Sequence, residues 1–218
     1  MAGISNQGQN KGQPYVTAGD RAYLIGTQDG NFPDMGDHVP GEMGGLWLHP
    51  IKLIDGFWAT VTDMATKQEI ALSESTEFVN YPHGNRFRYG LVLDSLEIER
   101  FQFSPDGQEG LIVQYTFKNA ADRKRQLNFQ YSVKTDLTPV WFSDRLGIKD
   151  AQDTVAWQTT NSLFIAKDPT TAGSPAGEPP RRQVHNQSQL HSRYTRVAWE
   201  SRLHPATVYR STHIAPLP

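Results

Sequence analysis

Leu127-Asn-Phe-Gln-Tyr-Ser-Val133 is the stretch that decides the fold class. Leu127, Phe129, Tyr131 and Val133 fall on one side of an extended chain, with Asn128, Gln130 and Ser132 on the other. A period of two is that of a β-strand with one buried face. Leu111, Val113, Tyr115 and Phe117 repeat the pattern, with Gln114 and Thr116 opposite. Leu96 and Ile98 begin a third run. Phe101 and Phe103 resume it one residue out of phase across Glu99-Arg100, as a β-bulge would.

Working outward, Ser104-Pro-Asp-Gly107 separates two of these runs and suits a type I turn. Asn119 to Lys124 is the next polar connection. A meander of three long antiparallel strands is therefore expected near 96–103, 110–118 and 125–136. Shorter apolar runs predict strands at 21–27, 45–54, 57–63, 76–81, 86–93, 154–158 and 162–167. Met64 to Leu72 is the one helix-compatible stretch before the tail. Nine or ten strands with short polar turns predict an all-β fold, a sandwich or a barrel.

The chain has 218 residues, enough to bury a sizeable core. It has no Cys, which excludes disulfides, zinc-thiolate sites and thiol catalysis. A formal net charge of -2 argues against a nucleic-acid partner. No run of 18 apolar residues is present to form a membrane-spanning helix. Residues 1–14 are rich in Gln, Asn and Gly and read as a flexible leader without the pattern of a signal peptide. Residues 169–218 hold seven of the 14 Pro and carry a formal +4, against -6 for the rest. They read as a Pro/Arg/His-rich tail or linker. A truncated or out-of-frame gene end would give the same composition. Residues 15–168 remain as the folded domain.

The densest polar segment runs from Thr27 to Gly45 and holds Asp29, Asp34, Asp37, His38 and Glu42. Long loops in compact domains are often binding loops. Three readings compete for it: a calcium loop through Asp29, Asn31, Asp34 and Asp37, without the EF-hand register; an acid/base site pairing His38 with Asp34 or Glu42; or a ligand- or domain-facing loop whose acids cap turns. Gly41-Glu-Met-Gly-Gly45 lacks the Gly-Lys-Ser/Thr ending of a phosphate loop. The seven His show no i, i+4 pair for a helical zinc site, and no metal or cofactor is expected. Each of the five Trp is a core residue in the first instance. Trp141, beyond Pro139 at the end of a strand, is the best exception.

Gly19-Asp-Arg-Ala-Tyr-Leu-Ile-Gly-Thr-Gln-Asp-Gly-Asn-Phe-Pro-Asp-Met-Gly36, followed by Gly41-Glu-Met-Gly-Gly-Leu-Trp-Leu-His-Pro-Ile-Lys-Leu-Ile-Asp-Gly-Phe-Trp58, resembles the start of bacterial glycogen-debranching-enzyme-like proteins. These are relatives of amylo-alpha-1,6-glucosidases. The strands around Phe101 to Tyr131 and Asp136-Leu-Thr-Pro-Val-Trp141 also look like that N-terminal domain. The resemblance covers about residues 15–168. It implies a large antiparallel β-sandwich, a supersandwich similar to galactose-mutarotase domains, followed by a catalytic (α/α)6 barrel. Both catalytic carboxylates would lie on that barrel, so none is assigned here. The implied partners are that barrel and an α-glucan or oligosaccharide. Asp29, Asp34, His38, Glu42, Trp47 and Trp141 are the candidates to face sugar or barrel, with the Asp29–Glu42 loop and Trp141 expected at one end of the sandwich. Proteins of this family are often exported. Two alternatives stand beside it: a carbohydrate-binding module, or a free-standing mutarotase-like epimerase using His38 or His83 with Glu42.

Overall fold

A computed structural model describes residues 2–8, 10–36, 41–123, 125–138, 152–158, 163–168 and 194–197. Among these residues the fold is all-β and antiparallel, with no helix. One sheet has five strands: β1 (Ile4–Asn6), β7 (Glu77–Tyr81), β8 (Gly84–Val92), β9 (Leu96–Phe103) and β10 (Ile112–Asn119), in the order β1-β7-β8-β9-β10. The second contains β2 (Pro14–Ala18), β3 (Tyr23–Thr27), β4 (Gly45–Leu48), β5 (Ile51–Asp63) and β11 (Leu127–Thr138), in the order β11-β5-β4-β3-β2. Its sixth strand, β6 (Glu69–Ala71), pairs with β5. A small third sheet joins β12 (Thr154–Gln158), β13 (Leu163–Lys167) and β14 (Tyr194–Val197).

The two large sheets pack face to face through aromatic side chains. Tyr15 of the second sheet meets Phe78 and Phe87 of the first at centroid distances of 5.4 and 5.1 Å. Tyr115 of β10 meets Phe129 and Tyr131 of β11 at 5.1 and 6.1 Å. Tilted and edge-to-face arrangements of this kind suit the ring quadrupoles. Leu24, Phe57, Val61, Phe87, Leu96 and Ile98 complete a core between the sheets.

Three expectations are corrected. First, β9, β10 and β11 do not form a meander. β10 pairs with β9, whereas β11 pairs with β5 in the opposite sheet. The apolar sides of β10 and β11 face each other across the core, an arrangement that a shared period of two does not distinguish from pairing edge to edge. Second, β9 has no bulge at Glu99-Arg100. Its register with β10 is unbroken from Leu96 to Phe103, and Arg100 and Gln102 occupy the inward positions. Phe101 and Phe103 therefore lie on the other face, half-buried. The irregularity falls in β8, between Arg88 and Leu91. Third, 64–72 is not helical. Asp63 Oδ1 accepts the N–H groups of Ala65 and Thr66 in a tight turn, and β6 follows.

Two smaller differences concern turns and ends. The hydrogen-bonded turn after β9 runs from Pro105 to Gln108, one residue later than expected. This puts Gly107 third, with φ of 71°, the position at which a type II turn requires glycine. Within the leader, Ile4–Asn6 pairs with β7, and the Ser5 and Gln7 side chains both donate to Glu77. Ile4 is exposed, so this edge strand rests on polar bonds and shows no apolar period.

The crossing from β10 to β11 is fixed by a buried ion pair. Arg125 Nη2 lies 2.7 Å from Asp63 Oδ2, and both side chains are almost inaccessible. The guanidinium holds the Asp63 carboxyl below the usual carboxylate range, helped by the two turn N–H groups. Since Asp63 ends β5, the pair ties the end of β5 to the start of β11.

Candidate functional site

The Asp29–Glu42 loop is anchored at its start by local bonds. Asp29 Oδ1 accepts from Thr27 Oγ1 at 2.5 Å and from the Asn31 N–H at 3.0 Å, so this carboxylate caps the turn. The Asp29 carbonyl accepts from the Ser75 N–H, and Asn31 Nδ2 donates to the Ser73 carbonyl. Phe32 is buried against Phe57, with centroids 4.8 Å apart. Only glycine fits beneath that ring: a Cβ at Gly56 would lie 2.6 Å from it. Asp34 is exposed. His38 and Trp141 lie outside the described residues.

Glu42, where the loop returns, joins a charge cluster at the end of the sheet where β5 begins and β11 ends. Lys52 Nζ lies 2.6 Å from Glu42 Oε2, 2.6 Å from Asp55 Oδ1 and 3.0 Å from Asp136 Oδ2. Lys134 pairs with the other oxygen of Asp55 at 2.6 Å. Lys52 is 2% exposed, while the three carboxylates are partly open. Bulges produce this convergence. The β5–β11 register shifts between Lys134 and Thr135 and again before Thr138, and the β4–β5 register shifts after Leu46. Such shifts redirect side chains that would otherwise alternate faces.

The electrostatics follow from the geometry. Three carboxylates and two ammoniums leave one excess negative charge when all are ionised. Burial and the neighbouring Asp55 and Glu42 charges raise the Asp136 carboxyl to about 6, although Lys52 opposes this. Asp55 is held below the usual range by its two lysine partners, which together outweigh its burial. One oxygen each from Glu42, Asp55 and Asp136 come within 4.8 Å of one another, a spacing that suits a cation. Lys52 already places its ammonium among them, so a metal ion would have to displace it.

A pH dependence follows. An acid whose folded-state value is raised binds more protons folded than unfolded, so its contribution to stability falls as pH rises from about 4 to about 6. Asp55 has the opposite sign: its contribution is present above its unfolded value and is lost as pH falls through its lowered folded one. Comparing Asp136→Asn with the unmodified chain isolates the first effect. The variant is expected to match it near pH 4 and to exceed it by about 1–3 kcal/mol at pH 7, measured by urea unfolding at both pH values.

Of the sequence candidates among the described residues, only Glu42 enters this cluster. Sequence reasoning missed Lys52, Asp55 and Asp136. The signal for Lys52 was a lone ammonium inside the otherwise apolar Ile51-Lys-Leu-Ile54. Trp47 is corrected: it is fully buried, stacks with Tyr23 at 6.3 Å and donates from Nε1 to the Gly44 carbonyl. An indole so enclosed cannot stack on a sugar ring or face a partner domain. His83 lies in the β7–β8 turn of the five-stranded sheet, with its ring between those of Tyr81 and Phe101. Glu42 is bonded to Lys52 on the other sheet. A scan against protein-family models finds no match, and a search of curated proteins finds none either.

Proposed function

We propose that this chain is the non-catalytic N-terminal β-sandwich domain of a glucan-acting glycoside hydrolase, built to pack against an (α/α)6 catalytic barrel. One observation carries the reading. The two sequence strings that resemble debranching-enzyme-like proteins lie far apart in the chain, yet they meet at one cluster. Glu42, Lys52 and Asp55 come from the first string and Asp136 from the second. The all-β sandwich agrees with the architecture that the resemblance implies. In this reading Lys52 fixes the base of the Asp29–Glu42 loop, and the partly open carboxylates around it face the barrel or its substrate. Glycoside hydrolysis needs two carboxyl groups with sugar held between them. Here all three carboxylates bind one ammonium, so they serve positioning and not bond cleavage.

The test has two arms. The purified chain is incubated with maltooligosaccharides, and no hydrolysis above buffer is expected; robust turnover overturns the accessory role. The DNA downstream is translated in all frames, and the barrel it encodes is expressed separately. That barrel is expected to bind the chain, and substitution of Glu42 and Asp136 is expected to weaken the complex. No barrel, or one that does not bind, overturns the proposed partner.

A further inference from the structure

Arg100 lies in the centre of the sandwich and is 1% exposed. It stands inward on β9, between Phe87 of β8 and Tyr115 of β10. Its guanidinium carbon is 3.9 Å from the Phe87 ring centroid and 5.3 Å from that of Phe57, so rings from both sheets enclose it. Nη1 donates to the Gly30 carbonyl at 3.1 Å. Nε, Nη2 and the Tyr89 hydroxyl lack a close hydrogen-bond partner, and the Tyr115 hydroxyl is a further polar neighbour of the guanidinium.

A guanidinium stays protonated in a protein, and a buried charge without a counter-charge is costly. Among the described residues, no carboxylate pairs with Arg100. Asp29 is close enough to act on Tyr15 and Tyr89, but its Oδ1 is held by Thr27 and Asn31. The phenols are no substitute. Burial raises Tyr15 to about 12 and moves Tyr89 and Tyr115 upward too, so all are neutral near pH 7.

The unused donors converge. Nε and Nη2 form one edge of the planar fork, the edge that takes anions with two parallel N–H bonds. Tyr89 Oη supplies a third donor beside it. Both flank Gly30, whose φ is 106°: a Cβ there would lie 3.0 Å from Tyr89 Oη and 3.4 Å from Arg100 Nη2. A side chain at Gly30 would therefore crowd both groups.

We infer that Arg100, Tyr89 and Gly30 form a buried site for a small monoanion of halide size. The anion would neutralise the guanidinium, accept from Nε, Nη2 and the Tyr89 hydroxyl, and lock the Gly30 end of the Asp29–Glu42 loop onto β9. The inference does not depend on the glucan reading.

The test is unfolding at constant ionic strength, with sodium bromide or chloride exchanged stepwise for sodium gluconate. An anion bound only by the folded chain lowers the unfolding constant tenfold for each tenfold rise in its concentration above Kd. That slope is expected for the unmodified chain, a weaker affinity for Tyr89→Phe, and no halide-specific slope for Arg100→Met. Crystals grown in bromide are expected to show an anomalous peak between Arg100 and Tyr89, a readout that survives if Arg100→Met fails to fold. Equal stability in halide and gluconate, or water alone at that position, overturns the site.

Discussion

Gly45→Ala is expected to be severely destabilised. Gly45 opens β4 with φ of 90°, a conformation that side chains disfavour. An added Cβ would stand 2.0 Å from the Ile54 carbonyl oxygen and 2.9 Å from that of Asp55. Both contacts are with backbone, so no rotamer change relieves them. They strike the bulged stretch of β5 that aims Lys52 and Asp55, and moving it would break the charge cluster as well. Conformational strain of about 1–3 kcal/mol adds to the clash, for a total of at least about 4 kcal/mol. Gly107→Ala is the control: φ is 71°, but nothing lies within 4 Å of the added methyl. It is expected to cost only about 1 kcal/mol. Circular dichroism and urea unfolding of the two variants separate clash from strain; similar losses in both would refute the argument.

The second large effect is expected for Lys52→Met. Removing one partner from a buried ionic cluster costs about 3–5 kcal/mol, a large share of a stability of about 5–15 kcal/mol. The loss has a pH signature that a simple packing defect lacks. Without the ammonium, Glu42, Asp55 and Asp136 face each other with Lys134 as the remaining cation among the described residues. Asp136, already raised to about 6, should rise further. The folded variant then takes up protons that the unfolded chain does not, so its stability should climb as pH falls from 7 toward 5. Denaturant midpoints across that range test this, and a pH-independent loss would contradict it.

The strand content was legible because one face of most strands is apolar and the other polar. β11 needed nothing beyond that alternation, whereas β5 was expected as two pieces, 45–54 and 57–63, because Asp55-Gly56 and the buried run Lys52-Leu53-Ile54 interrupt its period of two. Pairing was not legible, since β10 and β11 carry the same pattern whether they lie side by side or face to face. Arg100 and Gln102 show a second limit. They stand at inward positions where alternation predicts apolar side chains, and reading Phe101 and Phe103 as inward replaced a polar interior with a bulge. The Gln102 amide nitrogen donates to Tyr15 and Thr17, partners that come from another sheet, while its Oε1 stays unpaired. The site was half legible for the same reason. Glu42 stood out in a polar loop, whereas Lys52, Asp55 and Asp136 converge only through register shifts that no local pattern encodes.

The exchange of sheets between β10 and β11 also shapes how the chain is made. β5 is the longest strand among the described residues, with 13 residues, and its partner β11 leaves the ribosome only after β6 to β10 have been synthesised. Until then one edge of β5 stands open, with Phe57, Ala59 and Val61 beside unpaired amides. Open edges of this kind recruit other chains, and contacts this distant in sequence form slowly. The nascent chain is therefore most vulnerable to aggregation between the completion of β5 and the arrival of Leu127, and a chaperone acting in that interval would raise the yield more than one added after release.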